Sequence, residues 1–148
     1  MAQTPLKAKV VSDDLAHLTT IVVSRYALQK RVAALAKRTN VLVTPTVKSG
    51  RQTLLDLRWL MKKLGKKNVT SLLVEGGGET NASFLFNGLA QRVAFFYAPK
   101  ILGGSGSRKG VAGNGVTKLS DAVRLRDVEW KKAGDDLAMT ARIGADKI

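Results

Sequence analysis

The segment Ser71-Leu72-Leu73-Val74-Glu75-Gly76-Gly77-Gly78-Glu79-Thr80 passes from a short apolar run through three consecutive glycines into a helical pattern that carries Ala82, Phe84, Leu85 and Leu89. A strand feeding a helix through such a turn is the repeating unit of an α/β fold. Three glycines leave no Cβ to hold a ligand away from the backbone, and the amides that open the following helix face an anion. Two nucleotide fingerprints do not fit. The position completing Gly76-x-Gly78-x-x is Asn81, and no Gly-Lys-Ser/Thr follows the glycines. Two readings of the turn stand side by side: a phosphate-type anion site, or a tight strand-to-helix turn capped by Thr80. Glu75 also has two readings. It lies at the C-terminal edge of the strand, where α/β proteins bind polar ligands, or it satisfies nearby backbone amides.

Upstream, Thr20-Ile21-Val22-Val23 is followed by Leu28, Val32 and Leu35 at i, i+4 and i+7, which predicts a strand and then an amphipathic helix. The pattern recurs. Val41-Leu42-Val43 ends in a Thr-Pro loop, and Leu54, Leu57, Met61 and Leu64 form an apolar stripe with Gly65 as its C-cap. Such alternation predicts right-handed crossovers and a mixed, mostly parallel sheet flanked by helices. Downstream, Val93-Ala94-Phe95-Phe96-Tyr97-Ala98 reads as a strand buried on both faces, ended by Pro99. Residues 103–115 hold six of the 14 glycines and read as a mobile surface loop, with a lid as the functional alternative. The period then changes to two. Val128, Trp130 and Lys132 alternate with Glu129 and Lys131, while Leu137, Met139, Ala141 and Ile143 share a face, and Gly134-Asp135-Asp136 supplies the turn. This predicts a C-terminal antiparallel hairpin.

With 148 residues, 45% of them apolar, the chain can bury one ordinary core, so a single domain over residues 1–148 is expected. No apolar run is long enough to span a bilayer and the N-terminal residues do not read as a signal peptide, so a soluble, cytoplasmic protein is expected. The absence of cysteine excludes disulfides, thiolate metal centres and cysteine nucleophiles. A lone histidine, His17, excludes a histidine cluster, and no metal is expected. His17, Trp59 and Trp130 read as structural or surface residues. The net charge of +14 is uneven, with +11 in residues 1–74 and +3 in the remainder. That excess either attracts polyanions or is a solvated face opposite the apolar stripes.

Four motifs agree in order and spacing. Val74-Glu75-Gly76-Gly77-Gly78 is followed by Ser83-Phe84-Leu85 with Gly88-Leu89, then Ala98-Pro99-Lys100-Ile101-Leu102-Gly103-Gly104, then Leu125-Arg126-Asp127-Val128 with Gly134-Asp135-Asp136-Leu137. Together they resemble the reductase family of riboflavin biosynthesis. The resemblance implies a dihydrofolate reductase-like fold and NADPH-dependent reduction of 5-amino-6-(5-phosphoribosylamino)uracil to the ribitylamino compound. In bacteria this reductase is usually the C-terminal half of a bifunctional deaminase-reductase, so a deaminase domain, fused or separate, is an implied partner. Residue by residue, it implies that Gly76, Gly77, Gly78, Glu79, Thr80, Asn81 and Ser83 line the NADPH phosphates and that Glu75 touches the substrate. Ile21-Val22-Val23-Ser24-Arg25 is similar to the strand end that holds the adenosine 2′-phosphate, and Arg25 would there favour NADPH over NADH. Ser24 as a helix cap is the competing reading. Lys100 matches the family's Ala-Pro-Lys lysine, and no catalytic residue is implied.

The resemblance covers residues 5 to 143, while the family's domain extends further upstream. The expectation is therefore a partial reductase domain. Hydride transfer needs nicotinamide and sugar held in a near-attack arrangement, and much of that pocket belongs to the upstream part. An uncovered sheet edge and apolar face also predict a homodimer. Two other classes are weighed against the enzyme. One is a non-catalytic scaffold or interaction domain of the same fold. The other is a basic nucleic-acid-binding module, which here lacks a recognised motif and an aromatic stacking platform.

Overall fold

The computed structural model describes residues 2–50 and 52–144, and the chain forms two compact units, Met1–Thr70 and Ser71–Ile148.

The first unit is organised by a strand-helix-strand crossover. β1 (Thr20–Ser24) leads into α1 (Gln29–Ala36) and then β2 (Asn40–Thr44), and the two strands pair in parallel with Val23 opposite Val43. Val23 and Leu35 are fully or almost fully buried with Val11, Ala27 and Ala2, and Ile21, Val32 and Val41 pack around them. The N-terminal segment is tied down by α1. Arg31 donates to the carbonyls of Ala2 (3.2 Å) and Thr4 (3.0 Å), and Arg38 to that of Leu6 (2.7 Å). Two cations of the basic half are thus engaged within the chain. Leu35, with no exposed surface, is the centre of this core. Leu35→Ala is expected to cost about 2–5 kcal/mol through lost transfer energy and a residual cavity, read as a lower urea midpoint.

The sequence reading needs three changes in this unit. A hairpin, β3 (Thr46–Ser49) and β4 (Gln52–Leu55), follows the Thr-Pro loop, with Gly50 in its turn at φ 55°. Leu54 therefore lies in a strand, and α2 (Leu57–Gly65) begins only after it. Asp56 starts this helix by accepting a hydrogen bond from the Trp59 amide (2.9 Å), and Leu60, outside the expected stripe, is its buried residue. Gly65 is the last helical residue rather than the cap. Lys66 takes the C-cap, and the left-handed conformation falls to Asn68 at φ 62°, a residue type that tolerates it. Finally, Ser24 ends β1 and caps nothing, because the N-cap of α1 is Leu28, which has no side-chain cap bond and is largely exposed.

In the second unit Ser71–Val74 is not a strand. Residues 70–77 have no assigned secondary structure, and Leu73 is 79% exposed. An apolar run becomes a strand only when another strand completes its ladder, and among the described residues none pairs with this one. α3 (Gly78–Phe86) follows, then β5 (Arg92–Tyr97), β6 (Leu125–Ala133) and β7 (Asp136–Ile143), arranged as an antiparallel sheet in the order β5-β7-β6. The β6-β7 hairpin forms where alternation predicted it. Gly134, at φ 65°, supplies the positive φ that a two-residue hairpin turn needs. One face of the sheet is partly closed, with Met139 and Ala141 buried and the rings of Phe95, Tyr97 and Trp130 in sequence at 6.4 and 6.0 Å. The expectation that the strand at 93–98 is buried on both faces does not hold. β5 lies at one end of the sheet order, with Phe96 67% and Tyr97 50% exposed.

Candidate functional site

The glycine turn joins an extended segment to the N-terminus of α3, whose N-cap is Gly77. The amides of Thr80 and Asn81 both donate to the Gly77 carbonyl, at 2.9 and 3.1 Å. Among the described residues, the amides of Gly77, Gly78 and Glu79 donate to no group of the chain. A helix start leaves such donors unpaired and adds the positive end of the helix dipole, so this turn offers three N–H groups to an anion.

The three glycines serve different purposes. A Cβ on Gly76 would run into the Thr80 side chain, so Gly76 lets Thr80 fold back over the turn. A Cβ on Gly78 would collide with the Lys109 carbonyl and press on Ala112, so Gly78 admits a neighbouring stretch of backbone. At Gly77 a Cβ would meet nothing within 4 Å, and the approach to the open amides is unobstructed there. Thr80 is thus not the cap that the structural reading gave it: the cap is a glycine and the hydroxyl side chain packs behind it.

The backbone admitted by Gly78 belongs to the glycine-rich stretch expected to be a mobile loop. Its residues 109–113 are docked on α3 by three hydrogen bonds. The Ala112 amide donates to the Gly78 carbonyl (3.0 Å), the Asn81 side-chain amide to the Gly110 carbonyl (2.9 Å), and the Gly113 amide to the Glu79 carboxylate (3.2 Å). A Cβ on Gly110 would make only ordinary contact with the Phe95 ring, whereas one on Gly113, at φ 71°, would press on Ala82, so Gly113 is the position that a larger residue would not suit. These residues escaped the sequence reading. The available signal was the run of small residues in Gly110-Val111-Ala112-Gly113, which suits close backbone packing as well as flexibility.

The remaining candidates divide by location. Ser83 is used within α3, its hydroxyl donating to the Glu79 carbonyl at 2.8 Å. Glu75 is exposed at the mouth of the turn and no hydrogen bond engages its carboxylate among the described residues, so the backbone-satisfying role is absent. Glu75, Gly76, Gly77, Gly78, Glu79, Thr80, Asn81 and Ser83 are therefore contiguous around one helix start in the second unit. Ser24 and Arg25 belong to the first unit, at the C-terminal end of β1. Arg25 donates to the Tyr26 hydroxyl (2.8 Å) and its guanidinium lies 5.0 Å from that ring's centroid, which holds an exposed cation in one orientation.

A glycine turn that presents unpaired amides at a helix start, with no Cβ obstruction at one glycine, has the charge and space that suit an anionic, phosphate-type group. The chain is a member of the RibD C-terminal domain family, whose model matches residues 1–139. It is 36% identical over 137 residues to the 2,5-diamino-6-ribosylamino-4(3H)-pyrimidinone 5′-phosphate reductase of Methanothermobacter thermautotrophicus, covering 93% of this chain and 60% of that protein. To the riboflavin biosynthesis protein RibD of Actinobacillus pleuropneumoniae it is 31% identical, over 93% of this chain and 35% of that one. The fold is similar to a pyrimidine reductase-like protein from Corynebacterium diphtheriae, with a TM-score of 0.74 at 18% identity over 98% of this chain and 58% of that one. It is also similar to Acinetobacter baumannii RibD, with a TM-score of 0.70 at 18% identity over 97% and 36%. The dihydrofolate reductase-like α/β fold implied by the motifs is the fold of this chain. The chain spans between about a third and three fifths of these relatives.

Proposed function

We propose that this chain is the NADPH-phosphate-binding part of a riboflavin-pathway reductase that reduces the ribosyl group of 5-amino-6-(5-phosphoribosylamino)uracil to ribityl. The observation that carries the reading is the unobstructed Gly77 beside three unpaired amides in a member of this family. The turn fits the group in charge and in space: an anion met by backbone donors at a helix start, with no Cβ in the way. When bound, NADPH supplies the hydride for reduction. The chain's own residues bind and orient. Gly77, Gly78 and Glu79 would hold phosphate oxygens through their amides, with Gly76, Thr80, Asn81 and Ser83 shaping the helix start. Glu75 would accept hydrogen bonds from the pyrimidine or its sugar. Ser24 and Arg25 would hold the 2′-phosphate.

A second substrate reading has its own support. The relatives from Methanothermobacter thermautotrophicus and Archaeoglobus fulgidus are named for 2,5-diamino-6-ribosylamino-4(3H)-pyrimidinone 5′-phosphate, and this chain covers 60% and 57% of them. Titrating each pyrimidine into the NADPH-loaded chain separates the two. Tighter binding of the uracil supports the first reading and tighter binding of the diaminopyrimidinone the second. If NADPH itself does not bind, the scaffold alternative stands instead. The protein is further proposed to act in the cytoplasm as a homodimer, alongside a fused or separate deaminase. Among the described residues no helix is long and apolar enough to cross a membrane.

Arg25 gives the cofactor reading a selective test. Arg25→Gln is expected to weaken NADPH about tenfold or more and to leave NADH nearly unchanged, since only NADPH carries the second phosphate dianion. Calorimetric titration with both nucleotides checks this, and equal losses for both would remove Arg25 from the 2′-phosphate role.

A further inference from the structure

We propose that the second unit carries a separate anion pocket for a phosphate-bearing small molecule, built on a row of three arginines that crosses its sheet. Arg92 of β5, Arg142 of β7 and Arg126 of β6 are directly opposed in register, so one guanidinium row runs the full width of the three strands. Opposed residues of neighbouring strands project from the same face about 5 Å apart, and like charges so placed repel. Little within the chain offsets that repulsion. Asp127 reaches Arg142 only at 3.8 Å, with both side chains mostly exposed. Such a pair is worth little. No ion pair engages Arg92 or Arg126 among the described residues.

All three arginines line a shallow, open depression of about 470 Å³. Ala90 and Ile143 give it apolar wall, and Gln91 lies between Ala90 and the row in sequence. The pocket's backbone is fixed by the Ile143 amide donating to the Gln91 carbonyl (2.9 Å) and the Gly144 amide to the Arg124 carbonyl (2.8 Å). Gly88, at φ 66°, turns the chain out of α3 to form its rim. The β6 ladder breaks immediately after Arg126, where a bulge puts Asp127 in the left-handed region at φ 51°. Bulges of this kind re-aim side chains beside binding sites.

The chemistry selects the ligand. A guanidinium fork bonds two phosphate oxygens at once, and three adjacent forks suit a phosphate or pyrophosphate dianion better than a single carboxylate. The volume fits a small molecule whose uncharged body rests on Ala90 and Ile143. A nucleic acid strand is disfavoured because the charge is only one residue deep. The next row on the same face is Ala94, Thr140 and Glu129, and Lys131 beyond it is paired with Glu129 at 3.1 Å. This pocket lies past the C-terminal end of α3, whereas the glycine turn forms its N-terminal end, so the two sites are tested independently.

The test is calorimetric titration of the intact chain with inorganic pyrophosphate at moderate salt, with backbone amide shifts of Gln91 and Gly144 recorded in parallel. A saturable site that moves those two amides is expected, and any pyrophosphate held at the glycine turn is told apart by the Gly77, Gly78 and Glu79 amides. Arg142→Gln should weaken it about tenfold, the loss typical of a charged hydrogen-bonding partner, and Arg142→Lys should weaken it too because the charge remains but the fork is lost. Since Arg142→Gln relieves a like-charge row, its melting temperature should not fall. Gly77→Asp should leave this binding intact, which keeps a failure here apart from a failure of the cofactor reading. The proposal is overturned by the absence of saturable binding, by unchanged affinity in both Arg142 variants, or by binding confined to a duplex DNA oligonucleotide with steep salt dependence.

Discussion

Gly77→Asp is expected to abolish NADPH binding in a chain that stays fully folded. A Cβ at this position meets nothing within 4 Å, and Gly77 has φ −71°, which any residue adopts, so the substitution carries no steric or backbone penalty. The new carboxylate would stand where the phosphates approach the amides of Gly77, Gly78 and Glu79. Juxtaposed like charges in a binding site cost several kcal/mol, so affinity should fall about a hundredfold or more. Calorimetry reads the loss and thermal melting shows the intact fold. Retained binding would mean that the nucleotide is held elsewhere.

Gly78→Ala, one residue on, should do the opposite and damage the fold. Its Cβ would collide with the Lys109 carbonyl oxygen and crowd Ala112, and neither is the movable end of a long side chain. Residues 109–113 must retreat, which endangers the bonds from Ala112 to Gly78, from Asn81 to Gly110 and from Gly113 to Glu79. Overpacking of this kind costs about 1–3 kcal/mol, and lost hydrogen bonds add to it. Denaturant unfolding should show the reduced stability, and hydrogen exchange at the Ala112 and Gly113 amides should accelerate. An unchanged exchange rate would show that residues 109–113 are not held by this contact. The two glycines together separate what a ligand requires from what packing requires.

What the sequence made legible follows from which interactions are local. β1, α1 and β2 were readable because β-branched runs and an apolar spacing encode a crossover within a few turns of chain: Leu35 is buried and Val32 packs against the core as that spacing demands, whereas Leu28, the first of the stripe, is the exposed N-cap. The β6-β7 hairpin was readable from period-two alternation around Gly134. Three features depended on partners distant in sequence and were missed. Ser71-Leu72-Leu73-Val74 has strand composition but no ladder to join. Phe96 and Tyr97 have core composition but lie on an end strand of their sheet. Residues 109–113 have loop composition but pack on α3. The β3-β4 hairpin was hidden for a different reason: Leu54, at the end of a strand, happens to stand three residues before Leu57, at the start of a helix, and so mimics one helical stripe.

The candidate site was legible as a stretch but not in its division of labour. Three consecutive glycines give one sequence signal, whereas in the structure Gly76 makes room for Thr80, Gly77 faces open space and Gly78 makes room for residues 109–113. Charge was similarly ambiguous. The basic first half includes Arg31 and Arg38, which hold the N-terminal segment, while the row of Arg92, Arg142 and Arg126 lies in the less basic half and is visible only through strand register.

The most direct test of the central claim is to record the backbone amide resonances of the isotopically labelled chain while NADPH is added. The amides of Gly77, Gly78 and Glu79 are expected to shift together and saturate with one binding constant, while the Gln91 and Gly144 amides at the arginine pocket stay near their starting positions. If the nucleotide binds and those three amides do not move, or if no amide moves at all, the glycine turn is not a cofactor-phosphate site and the reductase reading of this chain fails with it.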